Sequence, residues 1–336
     1  MLELESGLTR RQLLAAAAAA TATRLLSKYI PAAEHPITAP KLGAFQQGYY
    51  RFAVGDFEVT TISDAGAFID GPWPIVGENQ PPADVARLMN DNLLPERKFQ
   101  PGFTPTLVNT GKQLILFDTG NGSNGFVPRP NGGWLASQLG PAGFNADQID
   151  IVVLTHGHTD HIGGLMEGGK PLFPNARYVI GGSEYEFWSS KARLSAPADG
   201  NEYISAKLFR ATVMPMANKI TFLKPNEEVV SGIRAMSAYG HTPGHLAFHV
   251  ESNGRQLLLW GDCAHHEVAS LARPEWHAFF DMDKEQGAAT RKRIYAMVAA
   301  ERMAVIGYHT SFPSVGFVEK ASVGYRWLPV TYQFRV

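Results

Sequence analysis

Within six positions the chain places three imidazoles and a carboxylate: His156-Gly157-His158-Thr159-Asp160-His161. The apolar stretch Ile149 to Leu154 runs straight into them, and Gly163-Gly164 follows. His156 and His158, two apart, can converge on one cation from a strand end, leaving Asp160 and His161 for a second cation beside it. Imidazole plus carboxylate without thiolate suits zinc, manganese, iron or cobalt, with zinc the default. Cys263 is the one cysteine. That excludes an intramolecular disulfide framework and any Cys-rich zinc or iron–sulfur site. No G-x-S-x-G elbow offers a serine nucleophile. Gly120-x-Gly122-x-x-Gly125 has the spacing of a dinucleotide fingerprint, but Pro128 and Pro130 stand where its helix would have to run.

The elements that must position these groups are a mixture of strands and helices. Gly55-Asp56 between two alternating apolar runs predicts a hairpin of residues 50–54 and 57–62. Thr110-Gly111-Lys112 predicts a second, joining 106–109 to 113–118. Ile149 to Leu154 is a buried strand broken only by Asp150, and further strands fit 178–180, 233–237, 247–250 and 256–260. Helices are expected over 83–93, 134–139 and 284–302. The globular part starts at Tyr49, and neither a boundary nor a repeat divides it through residue 336.

Lys plus Arg number 30 against 31 Asp plus Glu, a net charge of −1. With no basic surplus to neutralise a phosphate backbone, a nucleic-acid partner is not expected. Near the start, Arg10-Arg11 precedes Leu13-Leu14 and the run Ala15 to Ala20. Paired arginines before a short apolar stretch resemble a twin-arginine export signal, here over residues 1–33, with 34–48 a Pro- and Ala-rich arm. Such a signal implies a periplasmic or secreted protein. The apolar run falls short of the roughly 20 residues a spanning helix needs, and no other window reaches that length.

Taken in order, the motifs resemble those of the metallo-β-lactamase superfamily. His156-x-His158-x-Asp160-His161 is similar to its defining motif, Phe117-Asp118-Thr119-Gly120 to the early motif, and Tyr239-Gly240-His241-Thr242-Pro243-Gly244-His245 to the next ligand turn. Leu258-Leu259-Trp260-Gly261-Asp262 and Ile306-Gly307-Tyr308-His309 resemble the later strand ends. The resemblance implies an α/β fold, a four-layered αβ/βα sandwich. It also implies two divalent cations, one held by His156, His158 and His241 and the other by Asp160, His161 and His309, with Asp262 bridging. Asp118 would support a ligand histidine, while His245 would pack or hydrogen-bond nearby. His35, His249 and His277 have no motif support, and Cys263 reads as a small buried filler.

A narrower resemblance, to the methyl parathion hydrolase group, rests on Gly48-Tyr49-Tyr50-Arg51, Gly55-Asp56-Phe57-Glu58, Leu107-Val108-Asn109-Thr110-Gly111, Glu186-Phe187-Trp188 and His309-x-Ser311-Phe312-Pro313. That group includes phosphotriesterases, lactonases and aryl esterases, commonly dimeric. The stretch Asn121 to Gly133 departs from the group's usual segment. The activity implied is hydrolysis of small neutral esters or lactones by hydroxide shared between the cations, with organophosphate triesters the alternative and β-lactams a more distant one. Asp160 and Asp262 would serve catalysis through the metals. His265, three residues beyond Asp262, reads from its position either as a solvated loop histidine or as a donor to the substrate's developing oxyanion. Trp188, Phe126 and Trp73 would line an apolar pocket.

Overall fold

Gly55-Asp56 does turn the chain back: β1 (Tyr49–Val54) pairs antiparallel with β2 (Phe57–Ile62), with Val54 opposite Phe57. This computed structural model describes residues 41, 43, 46–330 and 334–336. The export segment and most of the arm therefore lie outside the described residues. Within the compact unit Gln47–Val336, β3 (Thr106–Asn109), β4 (Leu114–Phe117), β5 (Ile151–Leu154), β6 (Arg177–Gly181) and β7 (Ile220–Leu223) complete a seven-stranded sheet in chain order. Its first four strands are antiparallel, and β4 through β7 are parallel. A second seven-stranded sheet, also in chain order, comprises β8 (Glu228–Val230), β9 (Ile233–Ser237), β10 (Leu246–Ser252), β11 (Arg255–Leu259), β12 (Ala304–Ile306), β13 (Val315–Lys320) and β14 (Tyr325–Pro329). Only β11 and β12 run parallel there.

Alternation along the strands sorts their side chains into layers. Val59, Val108, Ile115, Phe117, Ile151 and Val153 of the first sheet meet Ile233, Ala235, Phe248, Val250, Leu257 and Ile306 of the second in one apolar layer. The opposite residues of the first sheet, Leu107, Leu116, Val152, Leu154 and Ile180, pack against α2 (Leu135–Leu139), α4 (Gly182–Ser189) and α5 (Asn201–Thr212). On the outer face of the second sheet, Leu258, Trp260 and Val305 pack against α6 (Ala269–Ala272) and α7 (Lys284–Glu301). The order is helix, sheet, sheet, helix, the four-layered sandwich. A fully buried large apolar side chain contributes about 1.5–3 kcal/mol, so the inter-sheet layer firmly registers the strand ends of one sheet against those of the other.

The helix expected over 83–93 is α1 (Pro82–Asp91), which opens on proline and buries Val85 and Met89, four apart. The long helix runs as expected: Asp283 caps α7 by accepting from the Gln286 N–H, and Arg302 ends it in the left-handed region at φ 52°. No helix follows Gly120-x-Gly122-x-x-Gly125; residues 121–133 form turns. Helices α4 and α5 had no expected counterpart. Among the described residues, no helix is long and apolar enough to cross a membrane.

Candidate metal centre

Each proposed ligand lies just past the carboxyl end of a strand or on the turn that follows it. His156 and His158 follow β5, Asp160 and His161 sit on the single-turn α3 (Thr159–Ile162), His241 follows β9, Asp262 follows β11, and His309 follows β12. All seven are buried. Gly157 is small for a reason: a Cβ there would lie 2.4 Å from Cδ1 of Trp188. Gly261 adopts φ 56°, and a Cβ on it would meet Nε2 of His245 at 2.3 Å.

The donor atoms form two adjoining groups. In the first, Nε2 of His156, Nδ1 of His158 and Nε2 of His241 lie 2.8–3.1 Å apart. A tetrahedral cation with bonds of about 2.05 Å has ligand separations of about 3.3 Å. In the second, Oδ2 of Asp160 is 3.4 Å from Nε2 of His161 and 3.5 Å from Nε2 of His309. Asp262 touches both groups: Oδ1 is 3.1 Å from His161, and Oδ2 is 3.1 Å from His309 and 3.2 Å from His241.

Most of the remaining imidazole nitrogens are occupied, which fixes their tautomers and aims lone pairs inward. His161 donates Nδ1–H to Asp118, 2.8 Å away, and Asp118 also accepts from the Thr155 amide and hydroxyl. With its own proton committed to Asp118, the Thr155 oxygen accepts from Nδ1 of His156 at 3.0 Å. His241 donates to Asp281 and His309 to the Gly102 carbonyl, at 3.0 and 2.8 Å. The Asn201 amide lies 3.3 Å from Nε2 of His158. By contrast, Nε2 of His161 and Oδ1 of Asp262 are buried without any hydrogen-bond partner. Two lone-pair atoms left without hydrogen bonds and aimed at one point fit a shared cation.

The electrostatics agree. Burial, reinforced by neighbouring imidazoles, drives His156 and His158 well below the usual histidine range, so both stay neutral and able to ligate. Burial opposes charge on His241 too, but Asp262 and Asp281 outweigh it and raise the group to about 9. Burial likewise works against a charged Asp262, yet the surrounding imidazoles hold it well below the carboxylate range. A field that favours protons on imidazole favours a divalent cation in the same place. The donor set therefore fits a divalent metal centre, and its N/O composition suits zinc.

A cleft with about 460 Å³ of empty space opens onto His158, Asp160, Asp262, His265 and His309. Its apolar walls include Ile69, Ile75, Phe99, Phe103, Phe126 and Phe280. Among the described residues, neither lysine nor arginine lines it. His265 is buried and faces this space with neither ring nitrogen hydrogen-bonded. Burial lowers its pKa to about 3, so the ring is neutral. Of the expected pocket residues, Phe126 lines the cleft. Trp188 does not; it is wholly buried beneath Gly157, donates its indole N–H to Glu184, and borders a second cleft instead. Trp73 also falls outside the lining: it is 40% exposed and donates to the Gln80 carbonyl. It lies in the loop before α1.

His245 sits beside the ligands, hydrogen-bonded to the Ala238 carbonyl and accepting from the Asp262 amide, and Cys263 is buried. Sequence reasoning missed Asp281, which lies between His241 and the buried Arg291, and Tyr308, whose ring stacks on His161 at 3.8 Å. It also missed Glu184, Asn201 and the walls Phe99, Phe103 and Phe280. The only local hint was the adjacency of Tyr308 to His309, since the others come from segments without ligand spacing.

Fold and donor set together define a metal-dependent hydrolase scaffold. The chain belongs to the metallo-beta-lactamase superfamily, whose family profile matches residues 104–303. Among its relatives is an N-acyl homoserine lactonase of Bacillus sp, 25% identical over 169 residues that make up 50% of this chain and 58% of that protein. The chain thus spans little more than half the length of that curated relative. Two solved structures are similar over more of the chain. AidC, a dizinc quorum-quenching lactonase in complex with a product, is 26% identical with a TM-score of 0.77, covering 85% of this chain and 98% of its own. The hydrolase AbOPH, of the beta lactamase superfamily, is 25% identical with a TM-score of 0.79, covering 86% and 100%.

Proposed function

We propose that the protein is a binuclear, zinc-dependent hydrolase of small neutral esters or lactones. The observation that carries the reading is Asp262, one carboxylate within 3.1–3.2 Å of donor atoms in both ligand groups. A pair of divalent ions held there would lower the pKa of water toward 7 and polarise a scissile carbonyl. The chain's own residues supply the rest. Asp118, Thr155, Asp281 and the Gly102 carbonyl keep the imidazoles in the ligating tautomer. His265, neutral and with neither nitrogen hydrogen-bonded, donates an N–H to the oxygen that gains charge. Phe99, Phe103, Phe126 and Phe280 exclude water and accept an apolar substituent. Among the described residues no lysine or arginine lines the cleft to pair with a carboxylate or phosphate handle away from the cations, which favours uncharged substrates. The names of the lactonase relatives support the carbonyl over the phosphoryl centre.

Elemental analysis together with a substrate panel tests this. Two equivalents of zinc per chain are expected. Of p-nitrophenyl acetate, dihydrocoumarin, an acyl-homoserine lactone and methyl parathion, the carboxyl substrates should match or exceed the phosphotriester. One equivalent or none after reconstitution removes the binuclear reading. A phosphotriester kcat/KM more than about two decades above every carboxyl substrate, roughly 2.7 kcal/mol of transition-state preference, reverses the substrate assignment.

A further inference from the structure

One buried carboxylate that is not a ligand hydrogen-bonds both loops that carry the first ligand group. Glu184, in the first turn of α4, is completely buried. Its Oε1 accepts from the Gly157 amide at 2.8 Å and the Trp188 indole at 2.6 Å. Its Oε2 accepts from the Thr242 hydroxyl at 2.7 Å and the Gly244 amide at 2.9 Å. Gly157 lies between His156 and His158, and Thr242 directly follows His241. The two loops come off different sheets, so this one side chain ties the three histidines of the first ligand group across the sandwich. The fit is close: a Cβ on Gly244 would lie 2.2 Å from the Glu184 nitrogen. Asp160, His161 and His309 make no hydrogen bond with Glu184; the second group has Asp118 at His161.

We propose that Glu184 is a positioning residue for the His156–His158–His241 cation position alone, while Asp118 bonds a ligand of the other directly and reaches His156 only through Thr155. The inference rests on the two-cation reading above. Its chemistry is specific because all four partners are donors. A carboxylate satisfies four donors, whereas a glutamine turns N–H groups toward two of them and leaves those two buried and unpaired.

The test compares the full-length wild type, Glu184→Gln, Asp118→Asn and the double variant by zinc titration against a competing chelator. Cobalt(II) absorption and unfolding of the zinc-free proteins are read in parallel. Glu184→Gln should keep one tightly held equivalent and bind the second 10–100-fold more weakly, the range for removing a ligand's outer hydrogen bond. Its kcat should recover at saturating zinc with KM unchanged. In the double variant no tight equivalent should remain. Thr242→Val removes one of the four bonds at constant volume and should shift the same equivalent by a smaller factor; it decides the question if Glu184→Gln does not fold. Wild-type affinity for both ions in the Glu184 and Thr242 variants overturns the proposal. So does equal weakening of both ions, or a tight equivalent surviving in the double variant. A wild type holding a single zinc refutes the two-cation reading instead. Glu184 is then judged by whether its variant weakens that one ion at least tenfold.

Discussion

Replacing Gly157 by alanine asks one methyl group to fit where the structure has no room. The added carbon would lie 2.4 Å from Cδ1 and 2.6 Å from Nε1 of Trp188, and 3.0 Å from Cδ2 of Phe209. Ordinary contact begins near 3.4 Å, so something must move by about 1 Å. Neither ring can give way cheaply: Trp188 and Phe209 are both fully buried, and Trp188 is also tethered to Glu184. The displacement therefore falls on the loop, whose two flanking residues are His156 and His158. Metal–ligand distances tolerate about 0.2 Å, several times less than the shift required. Overpacking of this size costs about 1–3 kcal/mol. Spent against cation binding, that is roughly a 5- to 150-fold loss of zinc affinity at the first position. Chelator-competition titration measures it directly. Trp188→Leu in the same chain opens the space, so the double variant should bind zinc better than Gly157→Ala alone, a coupling that independent effects would not produce. Wild-type affinity in Gly157→Ala, or strictly additive losses in the double variant, would refute the steric argument.

His265→Phe keeps the ring but removes its N–H. We expect kcat/KM to fall roughly 100-fold with zinc content unchanged, and an unaltered rate would take His265 out of the reaction. Asp64 offers a pH test at a group that is not itself a ligand. It is fully buried, holds Asn121 and the Leu135 amide, and burial raises its pKa to about 6 despite those hydrogen bonds. A carboxyl group raised on folding contributes stability that is complete below about pH 3.9 and is lost as pH climbs through 6. In chelator, wild type should therefore lose roughly 2 kcal/mol relative to Asp64→Asn between pH 4 and 7. Parallel denaturation curves would contradict this.

What could be read from the sequence, and what could not, follows the range of the interactions. Hairpins at Gly55-Asp56 and Thr110-Gly111-Lys112 depend on a few adjacent residues, and the structure places both turns there. The ligand residues were visible for a similar reason: four of the seven fall within six positions, and the others sit on recognisable strand-end motifs. Helices α4 and α5 escaped because neither has a strong apolar stripe. Glu184, Thr242 and Ser205 are polar yet fully buried. Polar side chains enter a core when tertiary partners satisfy them, and Glu184 and Thr242 bond to each other across 58 positions of chain.

The same distinction separates the residues that can hold cations from those that choose a substrate. A ligand must be imidazole or carboxylate, so its identity survives in any short window of sequence. A cleft wall need only be apolar, and Phe99 with Phe103, Phe126 and Phe280 arrive from three separate stretches that carry no spacing in common. Trp188 illustrates the ambiguity: its size suits a pocket, yet the fold uses it to close the space beneath Gly157. Phe126 differs because the turns of 121–133 are pinned from below, where Asp64 accepts both the Asn121 amide and its side chain and Asn121 in turn accepts from Val127. The stretch 121–133, hydrogen-bonded in this way, therefore supports one cleft wall. Changes of substrate preference should be sought in that stretch, and changes of metal affinity in the strand-end loops.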